Sequence, residues 1–396
     1  MKKRGIYIHV PFCRSKCPYC DFYSIPDHDD ELRARYTDAV CKEIEYYGIR
    51  CSDKKIESIY FGGGTPTILL SEQFAEIMDC IRNYFQLTHK AEVSMECNPG
   101  AASVDRLRGY KKAGLNRLSI GAQSFDNNVL KILGRIHSRK DIIRAVDMAR
   151  KAGLRNISLD LMFGISGQTF TSWIESVQQA IELNPKHISL YSLEIMENTR
   201  FGEDALSGIY HETKPEDDRL MYEYALKILA EAGFYQYEIS NVAKARQECV
   251  HNLRYWNMGE YLGFGPSAHS FIENVRYSNV ADVRKYVDAM DKLDLGKDVF
   301  LGTTNALGTG AVDSFVKNAY RDNVSEYMFT GLRKNQGISK KDFHRRFGKD
   351  LWEIYGKEKE AFQDFVDTGA AEEDELGIRL TVKGMNISNQ IMTLFV

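Results

Sequence analysis

Cys13, Cys17 and Cys20 share one short run, His9-Val-Pro-Phe-Cys-Arg-Ser-Lys-Cys-Pro-Tyr-Cys-Asp-Phe-Tyr-Ser24, and the next cysteine is Cys41. The spacing C-x3-C-x2-C lets a single loop offer three thiolates to a cubane iron–sulfur cluster. The fourth iron then stays open to a ligand and to chemistry, whereas a fully ligated cluster mainly carries electrons. Zinc is the competing reading: it takes four ligands, and His9, Asp21 or His28 would have to supply the fourth. The other cysteines, Cys41, Cys51, Cys80, Cys97 and Cys249, are scattered, which argues against a disulfide framework.

Short apolar runs that alternate with helical patterns must position this loop. Strands are expected at Ile6–Phe12, Glu57–Phe61, Ala91–Glu96, Arg117–Ile120, Asn156–Met162 and His187–Leu193. Helices are expected over Asp30–Tyr47, Ser71–Phe85, Val104–Ala113, Lys140–Ala152 and Thr171–Leu183, with Gly48, Gly114 and Gly153 as left-handed C-terminal caps. Six such units imply an α/β fold with a parallel sheet, an open partial (β/α)6 TIM-like barrel rather than a closed eightfold one. The polar residues gather at the C-terminal strand ends: the cysteine loop, Gly62-Gly-Gly-Thr-Pro66, Glu96, Gly121 with Gln123, Asp160 with Gly164, and Glu194. In parallel α/β folds that end carries the site.

Three domains are expected: 1–214, the barrel; 215–300, an α/β extension containing His251-Asn-Leu-Arg-Tyr-Trp256; and 301–396, a small C-terminal winged-helix-like α+β module. The small-residue stretch 302–312 reads as a linker or loop. In the last module Ser339 and Asp342 form a helix cap, Asp350–Val366 is helical and Ile378–Val382 is a strand. Its Arg333, Lys334, Lys340, Lys341, Arg345, Arg346 and Lys349 are offset by Glu358, Glu360, Glu372, Glu373, Asp374 and Glu375, so they read as a solvated face. The 396 residues carry a net charge of −3 and are 43% apolar, which gives a large core and no field that recruits nucleic acid. No stretch reaches the ~18 to 20 apolar residues of a transmembrane segment. Reduced cysteines and the lack of a targeting segment point to the cytoplasm.

The cysteine loop, the Gly-Gly-Gly-Thr-Pro turn and the polar strand ends resemble the radical S-adenosylmethionine (SAM) family. The likeness is closest to the branch of anaerobic coproporphyrinogen III oxidase and its heme-chaperone relatives, and it runs from Tyr7 to the C-terminal module. It implies that Cys13, Cys17 and Cys20 hold a [4Fe–4S] cluster whose free iron takes SAM. It further implies SAM contacts from Tyr7, from Gly63, Gly64 and Thr65, from Glu96, Gln123 and Asp160, and from Arg135 to the methionine carboxylate. Glycine suits the close backbone approach, and a guanidinium suits a paired carboxylate. The chemistry implied is one-electron cleavage of SAM, with the protein positioning the cofactor and excluding water.

Within that branch, the oxidase has a further cysteine two residues after the third; here the position is Phe22. The oxidase also has an N-terminal extension, and this chain starts twelve residues before Cys13. His251, Asn252, Tyr255 and Trp256 match the H-N-x-x-Y-W motif of the heme chaperones, which implies a heme ligand and flat aromatic surface. The expected function is therefore a heme chaperone that passes heme to a client hemoprotein, a respiratory one, with an electron donor for the cluster. The alternative is oxygen-independent decarboxylation of coproporphyrinogen III, and a third is a radical SAM enzyme acting on RNA, which the charge balance disfavours. The loop Gly164-Ile-Ser-Gly-Gln168 departs from the family at Ser166, where proline is usual, and is expected to be less rigid.

Overall fold

The computed structural model describes residues 3–26, 29–51, 54–101 and 103–396. The chain forms two compact units, each discontinuous in sequence: one runs up to Tyr222 and includes Glu260–Lys317, the other combines Glu223–Gly259 with Asn318–Val396.

In the first unit, strands β1 (Arg4–Val10), β2 (Phe12–Cys13), β3 (Ile25–Pro26), β4 (Lys55–Gly63), β5 (Gln86–Cys97), β6 (Arg117–Gln123), β7 (Asn156–Phe163) and β8 (His187–Ser192) alternate with helices. These are α1 (Asp30–Arg50), α2 (Ser71–Tyr84), α3 (Val104–Lys112), α4 (Asn127–Ile132), α5 (Arg139–Lys151), α6 (Phe170–Glu182) and α7 (Arg200–Leu206). The order β1-β4-β5-β6-β7-β8 is parallel throughout and linear, so among the described residues no ladder joins β8 back to β1. This is the open partial barrel that the six strand–helix patterns imply. The helices bury one stripe, as in α2, where Phe74, Ile77, Met78 and Ile81 face the sheet. The strands are covered on both sides and therefore read as nearly continuous apolar runs.

Beyond β1 the sheet continues as β11 (Tyr261–Phe264), parallel to β1, then antiparallel β12 (His269–Ile272), β13 (Val275–Asn279) and β14 (Val312–Lys317). Close approach requires glycine here: a Cβ on Gly263 would meet the His269 carbonyl oxygen at 2.0 Å, and one on Gly265 (φ +97°) that of His9 at 2.6 Å. Buried Glu43 of α1 clamps this extension by accepting from Gly265 N at 3.0 Å, Asn279 Nδ2 at 2.8 Å and Tyr286 Oη at 2.6 Å.

Several sequence expectations change. Residues 302–312 are the loop of the two readings and not a linker: Gly308 N donates to Val299 O at 2.8 Å, Tyr47 Oη to Leu307 O at 3.4 Å, and the segment feeds β14. The boundaries expected at 214/215 and 300/301 differ from those of the compact units, because Glu43 and the sheet hold 260–317 on the barrel. Gly48 does not end α1. It sits inside the helix, where a Cβ would meet Tyr84 Cβ at 2.3 Å, so close packing and not a turn explains it. Gly114 (φ +117°) and Gly153 (φ +84°) do adopt the left-handed conformation.

The second unit contains the hairpin β9 (Tyr235–Glu238) and β10 (Asn241–Ala243), and α9 (Val250–Trp256), which follows α8 (Pro215–Glu231). Helices α10 (Val283–Asp291, in the first unit), α11 (Tyr320–Gly331) and α12 (Lys340–Phe347) come next. A three-stranded sheet of β15 (Ile338–Ser339), β17 (Gly377–Leu380) and β16 (Ala371–Glu373) completes an α+β module. Ser339 caps α12, its side chain accepting from Asp342 N at 3.2 Å. The helix expected over Asp350–Val366 is two, Leu351–Ile354 and Lys359–Asp367, broken around Gly356. Ile239 N donates to Arg333 O and Asn335 N to Tyr237 O, so the hairpin and the C-terminal residues build one body.

A cavity under the cysteine loop and a paired histidine on α9

The cysteine loop follows β1 and crosses the C-terminal ends of the barrel strands. Gly64 N donates to Val10 O and Thr65 N to Phe12 O, both at 2.8 Å, so the glycine turn after β4 is stitched to the loop's start. Phe201 N, on α7, donates to Pro18 O at 2.9 Å and holds the loop's far side. Below lies a cavity of ≈ 440 Å³, within the usual range for a cofactor site. Cys13, Cys17, Cys20, Gly63, Gly64, Thr65, Glu96, Gln123, Arg135 and Asp160 all line it. Ten candidates from six chain segments thus converge.

Tyr7 stands apart. It stacks on Tyr60, with ring centroids 6.4 Å apart, and its hydroxyl bonds His9 Nδ1 at 3.1 Å. His9 Nε2 bonds Tyr23 O at 2.9 Å, so both nitrogens are engaged, and burial pushes its pKa down to about 4. This removes His9 as a zinc ligand. His28 lies outside the described residues. Among the described residues no three Cys, His, Asp or Glu side chains are drawn into metal-holding geometry, the cysteine loop included. The loop's donors still suit an iron–sulfur cluster chemically: three thiols on one cavity wall, with Cys13 Sγ 3.4 Å from Thr65 Oγ1 and Arg135 Nη1 donating to Cys17 Sγ at 3.4 Å.

The floor is polar and charged. Burial pushes the Glu96 carboxyl up to about 7, aided by repulsion from Asp160, although Tyr60 Oη donates to it at 2.9 Å. Burial also raises Asp160, against donation from Ser119 Oγ at 3.0 Å and Ser189 Oγ at 2.8 Å. Gln123 has φ +63°, a strained value for a non-glycine residue, and its Oε1 is buried with no hydrogen-bond partner. Two buried carboxyls, each already accepting from a hydroxyl, and one amide oxygen without a donor give the cavity floor an acceptor character that fits an ammonium or ribose hydroxyls. A Cβ on Gly64 would lie 2.6 Å from Phe12 O, and one on Gly63 (φ +105°) 2.6 Å from the His9 ring, so the turn admits only glycine. Cys13, Cys17 and Cys20 would hold such a cluster, which would supply one-electron chemistry at its open iron.

Sequence reasoning missed Asn98 and Tyr60. Asn98 Nδ2 donates to Thr65 Oγ1 at 2.8 Å, and its Oδ1 accepts from Arg135 Nη2 at 2.6 Å, which joins the glycine turn to the arginine. Its position two residues past Glu96, at a strand's C-terminal end, was the available signal. Ser166, where proline was expected, does not loosen its loop: its N–H donates to Tyr210 Oη at 3.0 Å, and Gln168 Nε2 bonds Met162 O at 3.2 Å. Proline could not make the first of these bonds.

The other candidate residues lie on α9 in the second unit. His251 is 1% exposed, its Nε2 is bonded to Tyr255 Oη at 2.8 Å, and burial pushes its pKa down to about 3. The Arg333 guanidinium lies 4.4 Å from the Trp256 ring centroid. Asn252 shares the helix. His251 is buried, while Tyr255 and Trp256 are half-buried. Three of the module's basic residues pair with carboxylates: Lys340 with Glu373 at 2.7 Å, Arg345 with Asp342 at 2.8 Å, Lys349 with Glu353 at 3.3 Å. Among the described residues no helix is long and apolar enough to cross a membrane.

A three-cysteine loop stitched over the mouth of an open parallel barrel, above a glycine turn and a carboxylate floor, defines the radical SAM class. The radical SAM superfamily profile matches residues 7–180, and the HemN C-terminal domain profile residues 320–387. The heme chaperone HemW of Bacillus subtilis (strain 168) is 34% identical over 396 residues, covering 99% of each chain, and that of Escherichia coli (strain K12) is 40% identical over 273 residues, covering 67% of this chain and 69% of its own. Coproporphyrinogen III oxidase (HemN) from Escherichia coli, described as a radical SAM enzyme, shares the fold with a TM-score of 0.82 at 22% identity, over 100% of this chain and 90% of that one. The chain belongs to the HemW family of the radical SAM superfamily.

Proposed function

We propose that this protein is a heme chaperone: it binds heme and delivers it to a client hemoprotein, a respiratory one, from a scaffold that also holds a [4Fe–4S] cluster and SAM. The observation that carries this reading is the likeness to heme chaperone HemW over 99% of both chains, and it favours the chaperone over the oxidase. Phe22, where the oxidase has a cysteine, supports it. Cys13, Cys17 and Cys20 hold the cluster. Gly63, Gly64, Thr65 and Arg135 take the methionine end of SAM, while Glu96, Gln123 and Asp160 accept from its ammonium and ribose. Tyr7 acts from behind Tyr60. His251 supplies a neutral imidazole to heme iron, with Asn252, Tyr255 and Trp256 beside it.

The test is a hemin titration of anaerobically prepared protein. A saturable Soret shift that His251→Ala weakens at least tenfold is expected. Absence of saturable binding overturns the reading. In parallel, coproporphyrinogen incubated with SAM and a reductant should release no carbon dioxide; turnover would establish the oxidase instead.

A further inference from the structure

Outside both sites, Cys41 of α1 and Cys80 of α2 face each other where the two helices pack. Cys80 Sγ donates to Cys41 O at 3.2 Å, and the two side chains are hydrogen-bonded to one another. Both residues are partly exposed, unlike buried Cys97 and Cys249. We propose that Cys41 and Cys80 are a peroxide-reactive dithiol that closes into a reversible disulfide between α1 and α2.

The surroundings assign roles and select the oxidant. The hydrogen bond between the two thiols lowers the pKa of Cys80 and raises that of Cys41, so Cys80 is the more readily ionised of the pair and the attacking sulfur. Glu45 and Glu76 face Cys80, while Glu76 and Asp38 face Cys41. That negative ring repels anionic oxidants such as glutathione disulfide and leaves neutral hydrogen peroxide as the fitting reagent. The steps balance. The Cys80 thiolate attacks one peroxide oxygen, the O–O bond breaks, and with one proton it yields a sulfenic acid and water. The Cys41 thiol then attacks the Cys80 sulfur, the S–O bond breaks, and a second water leaves. Two thiols are oxidised and one peroxide is reduced. The bond would close the chain segment that carries β4 and the Gly62–Thr65 turn, bracing the helices on either side of it.

The experiment treats the cluster-loaded protein with limiting hydrogen peroxide, blocks remaining thiols by alkylation and maps the peptides by mass spectrometry. A Cys41–Cys80 linked peptide is expected, lost on treatment with dithiothreitol. Glutathione disulfide at the same concentration should give at least tenfold less. Cys41→Ser should leave Cys80 as a sulfenic acid trapped by dimedone, while Cys80→Ser should leave Cys41 unmodified. The proposal is overturned if Cys80 is alkylated as in untreated protein, if it reaches sulfinic acid without the linked peptide, or if it pairs with another cysteine. The Ser variants report independently of the linked peptide, so a crosslink blocked by geometry would still be detected as a lone Cys80 sulfenic acid and would count against the disulfide.

Discussion

At the barrel mouth, Gln123 keeps a buried oxygen without a partner, and Glu96 and Asp160 crowd together as raised carboxyls. On α9, by contrast, His251 is fully enclosed and already bonded to Tyr255 one turn away. The first region holds unmet acceptor capacity around a ready cavity; in the second the imidazole is already paired, and an atom left over on α9, Trp256 Nε1, is a donor. A buried polar atom left unpaired costs about 1–3 kcal/mol, which a ligand recovers on binding. A self-paired imidazole must instead give up a bond before it can ligate. The barrel site is thus preorganised, while the histidine site has to open.

The largest expected break falls on the preorganised side. Cys17→Ala should lower iron from about four per chain to near zero after anaerobic reconstitution, measured by metal analysis. Gly64→Ala comes next. The carbonyls of Phe12 and Val10, 2.6 and 2.9 Å from the new Cβ, are backbone and cannot rotate away. A loss of about 2 kcal/mol or more in urea unfolding is expected, together with weaker SAM binding.

The Glu96 carboxyl sharpens the contrast through pH. Its folded pKa is about 7, above the unfolded value, so the folded chain keeps a proton that the unfolded chain loses near pH 4.5. Its contribution to stability is present below pH 4.5 and is lost as pH rises through 7. A SAM ammonium favours the ionised form, so SAM affinity should rise up to about tenfold from pH 6 to 8, by calorimetry, and Glu96→Gln should flatten that rise.

Tyr255→Phe tests the closed side with a smaller effect. Removing a hydrogen bond worth about 1 kcal/mol frees His251 Nε2, so heme affinity should rise roughly fivefold rather than fall. His251 itself stays neutral down to about pH 3, while in the unfolded chain it gains a proton near 6.5. Its burial therefore costs stability progressively as pH falls from 6.5 toward 3. The smallest effect is expected at Arg345→Ala, whose exposed pair with Asp342 should change the urea midpoint by under about 0.5 kcal/mol and leave RNA retention on a filter at background.

Much of this was legible in the chain because it is local or periodic. The six strand–helix patterns, the cysteine spacing and the glycine turn are read over short windows, and parallel sheets place strand ends together by rule. Asn98 had only its place at a strand end to mark it, because its role is to bridge Thr65 and Arg135, residues 33 and 37 positions away. Ser166 read as a loosened loop because its partner, Tyr210, is 44 residues distant. Gly48 looked like a helix stop because sequence cannot show Tyr84 packed against it.

By itself, the sequence determined the three-thiol loop, the parallel barrel beneath it and the matched charge of the final module, since each follows from residue type and spacing. Only the tertiary structure decided that 260–317 belongs with the barrel, that α9 shares a body with the C-terminal residues, and that His251 is paired. Those depend on long-range hydrogen bonds and close packing, such as Glu43 to Gly265 and Ile239 to Arg333, which no short window of sequence contains.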